Sequence, residues 1–283
     1  MRRSVLAALL AVAASTGAWS AGAPQRIVSL SPDLTEILYG VGAFPSVVGV
    51  SNYDTYPPET AKLPHLGDLH SPSLEKLLAL RPDLVVVSSA QAPFIEGTLE
   101  QLGLNVMKTY NRNVDEVYSA MLAIGRATGR EREAAALAAV TREGLDRVAH
   151  KTAGLPKPRV LLIVDRIPGT LRDLYTATAG SYLAQMVELA GGRMAVPPAD
   201  IGYAKLSKED LLAANPDVIL DFLQGPQGRF AANPLEAWNE MPELKAVRTH
   251  RVCSVNEDYV PHASQRMVQT AELFARLIHP EIR

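Results

Sequence analysis

The chain has 283 residues, 47% hydrophobic and 20% charged, the balance of a globular protein with a core to bury and not that of a disordered chain. A formal net charge of −2 argues against a nucleic-acid partner, which requires a basic surface. The single cysteine, Cys253, leaves no internal disulfide, so stability rests on packing; this thiol is expected to be a small buried residue on a strand.

The opening stretch "MRRSVLAALLAVAASTGAWS" carries two arginines, an apolar run over residues 5–14, and then small residues. That is the layout of a secretory signal peptide. Its apolar run falls short of the roughly 20 residues that span a bilayer. Cleavage is expected near Ser20, and no cysteine follows to take a lipid anchor.

The mature chain starts with a strand over 26–30. Ser31-Pro32 opens a helix that Gly40 and Gly42 end. A strand follows over 46–51, then the turn-rich loop "NYDTYPPE", then "SLEKLLALRPDLVVV" over 73–87, and a further strand within 102–110. Alternating strand and helix implies a parallel sheet covered by helices. Residues 114–152 contain no proline and no strand pattern. There "REREAAALAAVTREGLDRVAHKTAG" predicts one helix of roughly 35 Å, parted from its predecessor near Gly129. It is either one more packed helix or a rigid connector between lobes. The second half returns to alternation: a strand over 159–164, a helix closed by Gly191-Gly192, "SKEDLLAANPDVILD" over 207–221, a strand over 251–256, and a C-terminal helix over 264–279.

The stretches at 73–87 and 207–221 repeat one pattern. Ser73 and Ser207 suit helix N-caps. Leu77-Leu78 and Leu211-Leu212 are expected to point into the core. Pro82 and Pro216 end the helices, and Asp83 and Asp217 lead into strands. Two lobes of one design are implied. Glu75 and Glu209 sit in the first turn, where the helix dipole favours an acid by about 0.3–1 kcal/mol. That effect does not explain why both occupy the same position of the repeat.

These residues resemble the periplasmic substrate-binding proteins of ABC importers that have a long helix between their lobes. The likeness runs through "RIVSLSPDLTEILYGVG", "VVGVSNYDTYPPE", "YLAQMVELAGG", "NEDYVPHASQRMV" and the repeated stretch, and it is strongest to the cobalamin-binding branch. It implies an α/β fold of two lobes, each a mostly parallel sheet flanked by helices. It implies a signal peptide over 1–20, an N-terminal lobe over 24–129, an interdomain helix over 130–154 and a C-terminal lobe over 155–283. It implies an exported monomer that carries cobalamin or a related corrinoid in the inter-lobe cleft to a permease dimer in the membrane, without a cofactor of its own. In the family an acid on each lobe docks onto the permease; by motif match these are Glu75 and Glu209. Cleft residues by the same matching are Tyr53, Leu69, His70, Tyr175, Tyr203, Asp258, Tyr259 and His262, the tyrosines being expected in loops. Leu69 departs from the branch, which has a tryptophan there.

Tyrosine offers a ring face to a flat apolar macrocycle and a hydroxyl to its amides. Haem and ferric siderophores are alternatives. Tyr or His can ligate haem iron, and Arg166, Arg172 or Arg229 would attract an anionic siderophore. Among the six histidines, His65, His70 and His262 are candidates for the cleft, with His262 a hydrogen-bonding group and, as a minority case, an axial metal ligand. A dedicated metal site is not expected. The sequence lacks the nucleophile elbow, phosphate loop and zinc-protease signatures, so an enzyme, such as an exported hydrolase, is not expected either. Asp33 and Glu36 are expected to be cap and surface charges.

Overall fold

A computed structural model describes residues 22–68, 70–200, 202–222 and 235–282. The signal segment, Leu69 and Arg229 lie outside them. The first lobe runs β1 (Ile27–Ser29), α1 (Pro32–Gly40), β2 (Val47–Gly49), α2 (Leu74–Ala79), β3 (Leu84–Ser88), α3 (Ala92–Gln101) and β4 (Val106–Thr109). Its strands are all parallel, in the order β2-β1-β3-β4. Two helices follow, α4 (Val114–Thr128) and α5 (Glu131–Thr152), parted at Gly129 in the left-handed region at φ 66°. This is the break expected from the sequence.

The second lobe runs β5 (Arg159–Asp165), β6 (Leu174–Ala177), α6 (Tyr182–Leu189), β7 (Arg193–Met194), β8 (Tyr203–Leu206), α7 (Lys208–Ala214), β9 (Val218–Phe222), α8 (Lys245–Arg248), β10 (Val252–Val255) and α9 (Met267–Ile278). Its sheet has the order β10-β9-β5-β6-β8, with β7 also on β5. The pairs β10–β9, β9–β5 and β5–β7 are parallel, whereas β5–β6 and β6–β8 are antiparallel. The sheet is therefore mixed. Strands β6 and β8 escape a sequence reading because each is four residues long, and neither shows the apolar run of a strand buried on both faces.

The repeated stretch folds the same way twice, as α2–β3 and α7–β9. Ser73 Oγ accepts the Lys76 N–H, and Ser207 forms a capping box with Asp210. Asp83 accepts the N–H groups of Gln25 and Arg26 at 2.7 and 3.0 Å, and Asp217 accepts the Arg159 N–H at 2.7 Å. Each Pro-Asp thus clips a central strand to its neighbour at the same point in each sheet. One expectation needs correction: only the first leucine of each pair is buried. Leu77 and Leu211 are in the core, while Leu78 and Leu212 are exposed. A short amphipathic helix of two turns turns one leucine inward and its neighbour, about 100° further round, outward.

The largest core cluster draws on both lobes, from Ile27 and Val86 to Leu162, Leu220 and Phe274. Helix α5 packs on α4, α9 and α6, so it is a packed element that also joins the lobes. At Gly144 a Cβ would stand 2.7–2.8 Å from the Val268 methyls, which is why α5 and α9 approach so closely there.

Candidate ligand cleft

In parallel sheets, ligands gather beyond the carboxyl ends of the strands. Beyond β2 and β4 stand Tyr53 and Tyr110, and three residues into α3, after β3, stands Phe94. Their exposures of 52%, 49% and 58% are high for such rings, and they present apolar surface outward. His70 packs edge-on against Phe94, with ring centroids 4.4 Å apart. The Arg112 guanidinium lies 5.5 Å from the Tyr110 ring. Phe94 and Tyr110 do not figure in the motif matching. The strand-end rule applied to "VVVSSAQAPF" and "VMKTY" finds both.

The second lobe carries its own aromatic pair. Tyr175 is on β6 and Tyr203 on β8, so both are strand residues rather than loop residues. Tyr175 stands opposite Lys205, two residues from Tyr203. Side chains two apart share a face, so the two tyrosines lie diagonally on one side of the sheet. With Val164, Asp165, Leu183 and Pro261 they line a cavity of about 350 Å³. Burial pushes the Tyr203 hydroxyl pKa up. A larger cavity of about 560 Å³ lies between α4, α5 and α6 and is lined by the flanks of those helices.

The lobes meet through polar contacts. Thr55 Oγ1 donates to Asp258 at 2.7 Å. Arg266 lies between two rings, 4.6 Å from that of Tyr56 and 4.8 Å from that of Tyr259. His262 Nδ1 is 2.9 Å from Glu36 Oε1. Burial opposes charge on His262, but the Glu36 bond and the carboxyls of Asp33 and Asp258 outweigh it and hold its pKa above the usual value.

Several candidates change role. Glu36 and Asp33 are buried on α1, not surface charges. Asp33 accepts from Ser31 and Asn111, and burial raises its pKa. Arg166 is buried and makes a bidentate pair with Asp221, so its guanidinium already has its counter-ion. Arg172 is exposed. His65 Nε2 is 3.3 Å from the Thr60 carbonyl, within its own loop. His65, His70 and His262 do not converge, and among the described residues no group of three His, Cys, Asp or Glu side chains is placed to hold a metal. Cys253 is a free thiol on β10, half-buried, its pKa pushed up by burial.

Glu75 and Glu209 are exposed near the starts of α2 and α7. Among the described residues neither is in an ion pair, whereas beside Glu209 Lys208 pairs with Glu240 and Asp210 is held in the capping box with Ser207. Each has an exposed leucine three residues on, Leu78 and Leu212. Residues three apart share a helix face, so both lobes present the same acid-and-leucine pair.

Residues 27–259 match the sequence profile of the periplasmic binding proteins. The chain belongs to that family. It is 29% identical over 265 residues to the uncharacterized ABC transporter substrate-binding lipoprotein YvrC of Bacillus subtilis, covering 91% of this chain and 81% of that one. It is 27% identical over 275 residues to the vitamin B12-binding protein of Salmonella paratyphi A, covering 96% of each. Among solved structures, the periplasmic vitamin B12-binding protein BtuF of Vibrio cholerae superposes with a TM-score of 0.76 at 25% identity, covering 90% of this chain and 96% of that one. A periplasmic heme-binding protein of Pseudomonas aeruginosa superposes with a TM-score of 0.78 at 24% identity, covering 92% and 94%, and shows the shared fold. The chain is therefore a periplasmic-type substrate-binding protein of an ABC transporter, a class that binds small ligands and works with a membrane permease. Its relatives are binding proteins rather than enzymes. Among the described residues no helix is long and apolar enough to cross a membrane.

Proposed function

We propose that this protein captures cobalamin or a related corrinoid between its lobes and delivers it to the permease dimer of an ABC importer. The observation that carries this reading is the pair of aromatic walls. Tyr53, Phe94 and Tyr110 stand on one lobe, and Tyr175 and Tyr203 on the other. A flat, largely apolar macrocycle edged with amides needs ring faces on both sides and hydroxyls at its rim. Phe94, packed against His70, supplies apolar surface on the first lobe. His70, Asp258, Tyr259 and His262 complete the site as polar or edge contacts. The B12-binding relatives support the same ligand class.

Glu75 and Glu209, each with its exposed leucine, are the permease contacts in this reading. Two equivalent acids suit a two-fold partner bearing cations, where exposed ion pairs contribute orientation more than affinity. The lobes are residues 24–129 and 155–283, joined by the helix within 130–154. The protein acts as a monomer, processed near Ser20.

Haem is the second reading, favoured by one observation: Tyr53 is exposed in the cleft loop, and tyrosine is an established haem-iron ligand. Calorimetry with cyanocobalamin, haemin and a ferric hydroxamate siderophore separates the readings. Micromolar or tighter binding of cyanocobalamin, with haemin at least about tenfold weaker, a difference of 1.4 kcal/mol, is expected. Haemin binding without cyanocobalamin binding overturns the corrinoid assignment.

A further inference from the structure

Glu36 is a fully buried carboxylate of the first lobe whose partners come from the second. Ser264 Oγ donates to its Oε2. His262 Nδ1 and Arg266 Nη1 approach its Oε1 at 2.9 and 3.0 Å. Gln265 Nε2 donates to its backbone carbonyl at 2.6 Å. Four of the five second-lobe positions from His262 to Arg266 thus converge on one residue of α1. A buried carboxylate is costly unless paired and hydrogen-bonded; here the pairing is complete only while the lobes stay together. Separating them would strand the Glu36 carboxylate without its partners and leave Arg266 only Asp258.

The same residues reach the ligand walls. Arg266 is sandwiched by Tyr56 of the first lobe and Tyr259 of the second, and its Nη2 lies 3.5 Å from Asp258. The His262 carbonyl accepts from the Tyr182 hydroxyl at 3.2 Å, and Pro261 lines the cavity beside Tyr175 and Tyr203. A shift of the 258–266 segment therefore moves both the inter-lobe contact and the cavity wall.

We infer that Glu36 is a positioning residue for ligand capture: by holding His262, Ser264 and Arg266 across the lobe boundary, it sets the width of the cleft and the placement of Tyr259 and Pro261. The inference rests on the cleft between the lobes being the ligand site; the tie itself is made by protein groups alone. It differs from an ordinary surface pair because both partners are desolvated, the condition under which loss of one partner is most damaging.

The tie is also pH-sensitive. Facing His262 are Glu36 and Asp33 from α1, Asp54 from the loop after β2, and Asp258 and Arg266 from its own segment. Because the imidazole pKa is raised on folding, its contribution is complete below the ordinary histidine value and fades as pH rises through the folded one. Asp33 and Asp54, also raised, gain negative charge as pH climbs and favour retention of the imidazolium.

The test reads the lobes directly. Spin labels at Glu100→Cys and Glu243→Cys, with Cys253→Ala, report the inter-lobe distance by electron–electron resonance in ligand-free protein. Glu36→Gln is expected to broaden and lengthen that distribution at pH 6. His262→Gln, which keeps a hydrogen-bond donor but cannot titrate, is expected to give a distribution that no longer changes between pH 6 and 9. In stopped-flow release of cyanocobalamin, Glu36→Gln is expected to accelerate dissociation by about tenfold, or 1.4 kcal/mol. If Glu36→Gln does not fold, Arg266→Lys carries the same expectations. Unchanged distance distributions in a folded variant, with only a lowered melting temperature, would overturn the inference. Altered distances in a protein that binds no cyanocobalamin would sink the ligand assignment and leave the tie standing.

Discussion

Removing Asp221 should unfold the second lobe more readily than any surface change, and the size of the effect follows from its surroundings. Asp221 lies on β9 with no exposed surface. Arg166 donates to it from Nε at 3.1–3.2 Å and from Nη2 at 2.8 Å. The Trp238 indole donates to it at 2.8 Å. Asp221→Ala deletes these acceptors and takes the carboxylate away from a buried guanidinium and a buried indole N–H. The expected loss is about 3–5 kcal/mol. For a domain of this size each kcal/mol lowers the melting temperature by about 2–4 °C, so the fall is roughly 6–20 °C. Arg166→Met with Asp221→Leu replaces the pair by apolar groups of similar bulk and should recover most of the loss, because neither charge is then left behind. Differential scanning calorimetry at pH 7 reads both variants. A fall under about 2 °C for Asp221→Ala, or a double variant no more stable than the single one, would refute the view that the pair is held by mutual desolvation.

Tyr175→Ala and Tyr203→Ala should each weaken cyanocobalamin binding by about 1–3 kcal/mol in calorimetry while the protein stays folded; equal losses of stability and no selective binding defect would make these rings structural. Glu75→Arg with Glu209→Arg should abolish transport in reconstituted vesicles and leave ligand affinity nearly unchanged, and uptake at the wild-type rate would contradict the docking assignment. Burial raises the Asp54 pKa to about 6 from 3.8, against its hydrogen bonds from Ser51. A group raised on folding stabilises fully below its unfolded value and loses that contribution as pH rises through the folded one, so wild-type should lose up to about 3 kcal/mol here between pH 4 and 7.5. Asp54→Asn should remove that part of the fall in urea midpoints, and an identical pH slope in the variant would disprove it. Gly144→Val should cost about 1–3 kcal/mol by overpacking the α5–α9 crossing, read as a lowered urea midpoint with an unchanged slope; a midpoint at the wild-type value would show that the crossing has room to give.

Much of the fold is written locally. The apolar runs of β3, β5 and β9 belong to strands covered on both faces, and such strands need no alternation to be recognised. The Ser caps, the Pro-Asp exits and the long proline-free stretch mark α2, α7 and α5 through backbone chemistry that acts within a few residues. The doubled pattern discloses two lobes of one plan and places an acid at the same outer position on each. Strands β6 and β8 are different, because their hydrogen bonds are made to each other and to β5 across intervals of chain that carry no local signal. The partners of Arg166 and of Glu36 are further out of reach. A sequence shows that an arginine or a glutamate is present, not that a carboxylate 55 residues away or a histidine 226 residues away meets it in a dry interior. Whether such a charge faces solvent, a ligand or a counter-ion is fixed by the packing that excludes water around it. That packing buried Asp33 and Glu36, both expected at the surface, and made Glu36 a contact between the lobes.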